Sequence, residues 1–239
     1  MCAAAAGIAL YIPGFVWFVL GGLVWQRRIV LYELHQTKVV NKLLAGLLLL
    51  VLATPLIWAS IKHPAVAQLS VGLPSIWPSP VQFLQNAYHI PLQLFVHGPN
   101  NPILWLGQSP ILNIFEDAMF ILGVYAFWQH RELERTRLLL GLGVLCSVLI
   151  IIGGLVTITA LIPLIYITIA AGLLYTLEVW FSVFPRNPVA RGVGILVLAV
   201  AMLVSCNYHL REYFVAWPNA PATHAVFTQP ATIFDTIKR

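Results

Sequence analysis

The sequence has few charged residues, and this scarcity excludes a water-soluble globular domain. Only 9% of its 239 residues are Asp, Glu, Lys or Arg, against about 25% in soluble domains. By contrast, 60% of the residues are hydrophobic. A surface with so few charges must face lipid rather than water. We therefore predict an all-α polytopic membrane protein.

Cysteine is also scarce, and the compact motifs of soluble enzymes are absent. The three cysteines have neither the spacing of a metal site nor the even count of a disulfide framework. There is no Gly-rich phosphate loop or nucleophile elbow, and no two histidines are spaced as metal ligands on a helix. The basic residues lie in short clusters between apolar runs rather than in one patch. We predict no metal, no other cofactor and no nucleic-acid partner.

Six apolar segments are long enough to form helices that cross a hydrocarbon core of about 30 Å. The Leu- and Val-rich run at 47–52 shows no strand-like alternation, which favours helices over a barrel. We treat residues 1–239 as a single membrane domain with an extracytoplasmic loop at 62–110 and an extracytoplasmic tail at 211–239. The predicted spans cover residues 3–25, 43–61, 111–128, 138–155, 159–184 and 193–210.

Lysine and arginine are distributed unevenly between the two sides of this arrangement. Nine of the 13 lie in or next to the loops 26–42, 129–137 and 185–192, and four lie on the other side. The positive-inside rule places the three basic loops in the cytoplasm and both termini outside it. We therefore expect a multi-pass protein of the cell membrane, inner or plasma. An external N-terminus this close to a span would also arise if the chain lacked upstream spans.

The loop at 62–110 contains eight of the sixteen prolines and one helical pattern. Ser79 is placed to cap a helix whose first residue is Pro80. This pattern predicts an amphipathic helix over 80–89, ending before Pro91 and lying on the outer leaflet. Its apolar face carries Val81, Leu84 and Tyr88. The aromatic-rich stretch 211–218 is predicted as a second surface segment.

Ionisable residues within or at the edge of a membrane span are candidate functional residues, and this sequence has few of them. Glu116 and Asp117 lie about one and a half turns inside the start of the predicted span 111–128, where they could act as a base, bind a cation or hold a substrate. Alternatively, they favour the helix dipole and mark the interface. Lys62 and Arg211 emerge at the ends of the second and sixth spans, where they could bind a lipid phosphate or simply flank the interface.

Several short segments resemble one enzyme family. The chain resembles the second half of bacterial C-type glycosyltransferases related to protein O-mannosyltransferases. The resemblance is carried by HGPNNP at 97–102, QSPILN at 108–113, FILG at 120–123, TALIP at 159–163, NPVAR at 187–191, YFVAWP at 213–218 and Phe227 beyond it.

The resemblance implies transfer of a sugar from a polyprenyl-phosphate-linked donor outside the cytoplasm. The family's catalytic acid lies in the first extracytoplasmic loop of a longer chain, and no residue here corresponds to it. We therefore expect the C-terminal portion, or a reduced relative, of such a hexosyltransferase, combined with a separate N-terminal catalytic part or partner subunit. The alternative is a non-catalytic membrane component or a transporter for a lipid or small amphiphile.

No catalytic residue is assigned from the sequence, but a substrate site is predicted. The lipid-linked sugar donor would lie at the outer interface, with two cations at its phosphate, two asparagines at the sugar hydroxyls and two acids positioning it. The predicted substrate-binding residues are Lys62, His97, Asn100, Asn101, Glu116, Asp117 and Arg211.

Overall fold

A computed structural model of the chain describes residues 2–74, 76–99, 101–103, 105–107 and 109–227. Throughout these residues the regular structure is helical, with no β-strand. The predicted all-α class is therefore confirmed. The α-helices are α1 (Cys2–Ala9), α2 (Phe15–Trp25), α3 (Arg27–Gln36), α4 (Val39–Lys62), α5 (Pro64–Val71), α6 (Pro80–Phe95), α7 (Ile114–Gln129), α8 (Glu134–Ile151), α9 (Ile162–Val183), α10 (Pro188–Arg211) and α11 (Pro221–Phe227).

The number of helices that could cross a membrane is smaller than the sequence predicts. In the described part of the chain, three helices are long and apolar enough: α4, α9, and α10 together with the π-helical turn Glu212–Ala216. A fourth results if α2 and α3, which are bent by 81° at Gln26, count as one span. The structure thus supports an all-α membrane protein, but not six spans.

The first predicted span, 3–25, is divided because Pro13 and Gly14 interrupt the helix. Gly14 has a φ of 76°, a left-handed conformation that favours glycine. The resulting helices α1 and α2 have 8 and 11 residues, and each is too short to cross a bilayer alone.

The predicted spans at 111–128 and 138–155 correspond to helices that are too short or too charged. Helix α7 has 16 residues, or about 24 Å at the α-helical rise. Helix α8 has 18 residues, but its first turn carries Glu134, Arg135 and Arg137, which shortens its apolar part. The apolar composition correctly predicts both helices. Their observed length and the charges in the first turn of α8 exclude them from the candidate spans.

The predicted helix at 80–89 exists, but it continues through Pro91 to Phe95. Ser79 and Gln82 form a reciprocal capping box, with Gln82 N–H donating to Ser79 Oγ (3.3 Å) and Ser79 N–H donating to Gln82 Oε1 (2.9 Å). At the other end, carbonyls that no longer face a helical partner accept from Ile111 and Leu112, each at 3.2 Å. These bonds satisfy carbonyls of the last helical turn, whereas Pro91 removes the donor for the carbonyl of Ala87, one turn before the proline.

The tail segment 211–218 is predicted as a surface segment beyond the last span, and as far as Ala216 it continues that helix. Its position at the membrane surface stays a prediction. Helix α10 begins at Pro188, where Asn187 Oδ1 accepts from the backbone N–H of Val189 and Ala190, both at 3.1 Å. It then continues directly into the π-helical turn Glu212–Ala216.

Residue contacts divide the chain into two compact units, one of residues 1–88 and 130–165 and one of residues 89–129 and 166–239. In the first unit, α1 packs on α4, and the Tyr11 hydroxyl donates to the Leu52 carbonyl at 2.8 Å. Two backbone hydrogen bonds connect the non-helical segments of this unit. The Gly14 N–H donates to the Ser70 carbonyl (3.0 Å), and the Leu155 N–H donates to the Gly72 carbonyl (3.2 Å). That the chain acts as a single membrane domain stays a prediction.

In the second unit, α7 and α9 approach so closely that only glycine fits at two positions. A Cβ on Gly172 would lie 2.9 Å from the Gly123 nitrogen and closer still to the Met119 carbonyl oxygen. A Cβ on Gly123 would lie 2.7 Å from the Thr168 carbonyl carbon. This crossing fixes the position of the first turn of α7, which carries Glu116.

Candidate functional site

The first turn of α7 is held by a reciprocal cap that fixes the side chain of Glu116. Asn113 precedes the helix, and its Oδ1 accepts the Glu116 N–H at 3.0 Å. The Glu116 carboxylate in turn accepts the Asn113 N–H at 3.1 Å through Oε2. This is the capping-box arrangement with asparagine as the cap. The carboxylate is thereby oriented before any contact with another helix.

Glu116 then contacts two side chains of α10. The Ser205 hydroxyl donates to Glu116 Oε1 at 2.7 Å, and His209 Nε2 lies 2.9 Å from both carboxylate oxygens. Asn113 Nδ2 also donates to Ser205 Oγ at 2.7 Å. Glu116 is only 4% exposed, so these partners replace the water that a carboxylate would otherwise bind.

The other ring nitrogen of His209 faces a second carboxylate. His209 Nδ1 lies 3.6 Å from Glu212 Oε2, and the Ser109 hydroxyl donates to Glu212 Oε1. The π-helical turn begins at Glu212, whose carbonyl accepts the Trp217 N–H at 2.8 Å. Such turns often occur at functional sites because they change the direction of a side chain. We call Glu116, His209 and Glu212, with Ser205 and Ser109, the carboxylate–histidine cluster.

The hydrogen bonds of the cluster favour the ionised form of Glu116. Burial raises the pKa of the Glu116 carboxyl, but hydrogen bonds from His209, Ser205 and the Asn113 backbone, together with the His209 charge, hold that pKa below its ordinary value. An ionised carboxylate only accepts hydrogen bonds, so Nε2 of His209 is the donor. In the neutral imidazole, Nδ1 is then the unprotonated nitrogen.

Two of the grooves that border the cluster are lined by its carboxylates. A groove of about 550 Å³ runs along α7, α9 and α10 and is lined by Glu116, Ser205 and His209 among mostly apolar side chains. A groove of about 530 Å³ is lined by Ser109, Glu212 and Arg211. Both volumes lie within the range of about 300–1,000 Å³ found for small-molecule sites.

The predicted substrate-binding acids differ in their environment. Glu116 belongs to the cluster, as described above. Asp117 lines a third groove, and its Oδ1 is buried without a hydrogen-bond partner among the described residues. Burial, together with the neighbouring Glu116 charge, raises the pKa of Asp117.

The predicted cations fall in different units. Lys62 belongs to the first unit, where its Nζ lies 4.9 Å from the centre of the Trp58 ring. Arg211 belongs to the second unit, is exposed and lines the groove that contains Glu212. A joint role for these two cations at one phosphate stays a prediction.

The remaining predicted residues lie in the turn region before α7. His97 is exposed, and Asn101 Oδ1 accepts the Ile103 N–H at 3.1 Å. Asn100 lies outside the described residues. Gly98 donates its backbone N–H to the Ser109 carbonyl at 2.8 Å. In the described residues of this region, Asn101 therefore stabilises a turn, and any contact with a sugar stays a prediction.

Sequence reasoning missed His209, Ser205 and Glu212 as partners of Glu116. One signal was available, because the i,i+3 spacing of His209 and Glu212 places them on one helix face. Their pairing with Glu116, 93 residues from His209, has no local signal. Among the described residues, no group of three or more His, Cys, Asp or Glu could hold a metal ion.

The fold and the site together define a class: a helical membrane protein with a carboxylate–histidine cluster around the buried Glu116, at the end of a candidate span. Comparisons with protein-family models, with characterised proteins and with solved structures found no match to this chain.

Proposed function

We propose that the chain is a membrane transferase that acts at the extracytoplasmic face and moves a sugar from a polyprenyl-phosphate-linked donor to a hydroxyl group. The supporting observation is the carboxylate–histidine cluster, in which Glu116 contacts Nε2 of His209 and the other ring nitrogen, Nδ1, lies 3.6 Å from Glu212. The cluster lies at the end of a candidate span, beside grooves of ligand size. The sequence resemblance supplies the sugar and the donor.

In this proposal His209 is the general base. The acceptor oxygen forms a bond to the anomeric carbon of the sugar, the bond from that carbon to the donor phosphate oxygen breaks, and the phosphate leaves with the electron pair. The hydroxyl proton passes to Nδ1 of His209. The resulting imidazolium lies between Glu116 and Glu212, whose negative charges stabilise it. Glu116 acts through His209 and is a positioning residue.

Arg211 is the cation best placed for the leaving phosphate. It lines the same groove as Ser109 and Glu212, and a guanidinium binds phosphate oxygens in a bidentate manner. The nearby Glu212 carboxylate reduces the positive potential of this groove. We therefore expect Arg211 to bind the phosphate best once Glu212 faces a protonated His209, that is, after the proton has transferred.

The charge distribution supports the orientation. Arg186 and Arg191 lie near the junction between α9 and α10, and the cluster lies near the other end of α10. The positive-inside rule then places the junction in the cytoplasm and the cluster outside it. This is the side on which lipid-linked sugar transfer is expected from the resemblance.

The experiment measures transfer of a labelled hexose from polyprenyl phosphate in nanodiscs that contain the purified chain. His209→Ala should lower the rate by about 10²- to 10⁴-fold, the usual contribution of a general base. His89→Ala is the matched control, because His89 is an exposed histidine of α6 outside the cluster, and its rate should not change. Glu116→Gln keeps a hydrogen-bond acceptor but removes the negative charge. We therefore expect a large decrease in kcat and a smaller change in KM. Equal rates for His209→Ala and the wild type would contradict the proposal.

A second candidate is a non-catalytic membrane component, and one observation favours it. Each oxygen of Glu116 already has two hydrogen-bonding neighbours, so the carboxylate has little capacity left for a ligand. In that case the cluster serves to join α7 to α10. The wild type would then transfer no sugar, and His209→Ala would lower only the stability of the protein.

A further inference from the structure

The groove of about 550 Å³ beside His209 differs in chemistry from the groove that contains Arg211. Its walls are apolar side chains from three helices. Its polar groups lie together, where Glu116, Ser205 and His209 border it next to Tyr166. The apolar walls are formed mainly by Phe115, Ile169, Ala170, Leu173, Met202 and Leu210.

The charge of this groove selects against an anionic ligand. None of the described residues that line it is Lys or Arg, and its acidic residue, Glu116, already accepts a hydrogen bond from Ser205 and contacts His209. Placing a phosphate or carboxylate in an apolar groove next to a carboxylate costs both desolvation and repulsion. A neutral head group with a hydroxyl avoids both costs and matches the hydrogen-bonding groups present.

The groove is also open along an exposed apolar side of α10 and of the π-helical turn that follows it. Met202 is 50% exposed, and Tyr213 and Phe214 are 59% and 66% exposed. In a bilayer these side chains contact lipid, so a hydrocarbon chain can enter the groove sideways. A water-soluble acceptor would gain nothing from walls of this kind.

We infer that this groove binds a neutral, hydroxyl-bearing amphiphile, and that this amphiphile is the acceptor of the transferred group. Its hydrocarbon chain lies along α9 and α10, and its hydroxyl lies at His209. The role as acceptor rests on the proposed function, in which the hydroxyl proton passes to His209 and the donor phosphate leaves. The binding site itself rests on the groove alone.

Binding is tested with a hexadecanol probe that carries a photoreactive diazirine, incorporated into nanodiscs with the full chain. Ala170→Phe fills the groove with a ring, and Leu174→Phe is the control, because Leu174 is an exposed residue of the same helix that does not line the groove. We expect crosslinks at groove residues to fall about tenfold in Ala170→Phe, equivalent to about 1.4 kcal/mol of binding. They should persist in Leu174→Phe. Unlabelled hexadecanol should compete better than hexadecyl phosphate.

Two results would overturn the binding site. One is crosslinking spread evenly over the lipid-facing helix surfaces, and the other is equal crosslinking in Ala170→Phe and the wild type. Better competition by hexadecyl phosphate than by hexadecanol would contradict the inferred head group. Each of these results concerns binding and needs no donor.

The acceptor role is tested by transfer from a polyprenyl-phosphate-linked hexose to hexadecanol and to methyl glucoside, a soluble acceptor. Transfer to hexadecanol that is lost in Ala170→Phe supports the inference. Transfer to methyl glucoside but not to hexadecanol overturns the inference and leaves the proposed function standing. Groove-specific crosslinking without transfer to either acceptor contradicts the proposed function and leaves the binding site standing.

Discussion

Replacing Gly172 by alanine should separate α7 from α9 and weaken the candidate site. The new Cβ would lie 2.9 Å from the Gly123 nitrogen and the Met119 carbonyl carbon, and closer to the Met119 oxygen. Even the two farther atoms must retreat by about 0.5 Å to reach an ordinary contact of 3.4 Å. These are backbone atoms of α7, so the helix must move as a whole.

Two opposing effects determine how much Gly172→Ala lowers the free energy of unfolding. Overpacking of this kind costs about 1–3 kcal/mol, and replacing a helical glycine by alanine returns about 0.5–1 kcal/mol. We expect a net loss of about 1 kcal/mol, the difference between the middles of these two ranges. Met119 lies one helical turn from Glu116, so the displacement should also lengthen the contact between Glu116 and His209.

The assay is unfolding of the purified protein in mixed micelles of increasing denaturing-detergent content. Gly192→Ala is the matched control, because Gly192 lies in α10 and a Cβ added there would have no neighbouring atom within 4 Å. This variant should gain about 0.5–1 kcal/mol. If Gly172→Ala is as stable as Gly192→Ala, the close approach of α7 and α9 is wrong.

The remaining predictions concern orientation and the start of α6. In a chain whose native cysteines are replaced by alanine, an impermeant maleimide should label Asn219→Cys in intact cells and label Arg186→Cys only after permeabilisation; the opposite pattern would reverse the proposed orientation. Ser79→Ala removes the cap of α6 and should cost about 1 kcal/mol, seen as faster hydrogen exchange in the first turn of that helix. Ser182→Ala, which removes a hydroxyl outside any cap, should leave that exchange unchanged.

Local signals in the sequence identify several helices correctly. The apolar run at 47–52 lies within α4, and the Ser79–Pro80 pair marks the start of α6. These signals succeed because capping bonds and apolar runs act over one or two turns of the same segment. They are less reliable for helix ends. Pro91 predicts a stop, but α6 continues through it to Phe95.

The candidate site shows the limit of such reasoning more clearly. The sequence points to Glu116 because it is an acid at the start of an apolar helix, and the structure buries it within the carboxylate–histidine cluster. No metal-binding pattern in the sequence indicates a role for His209, because it is not spaced as a metal ligand with another histidine. Its importance depends on a partner 93 residues away, and no local pattern encodes that distance.

The sequence by itself determined that this protein is helical and suited to a membrane, because composition and apolar run length depend only on the chain. The tertiary structure alone decided which side chains meet. The glycine crossing of α7 and α9 and the π-helical turn after α10 are properties of packing between distant segments, and packing brings His209 between two carboxylates.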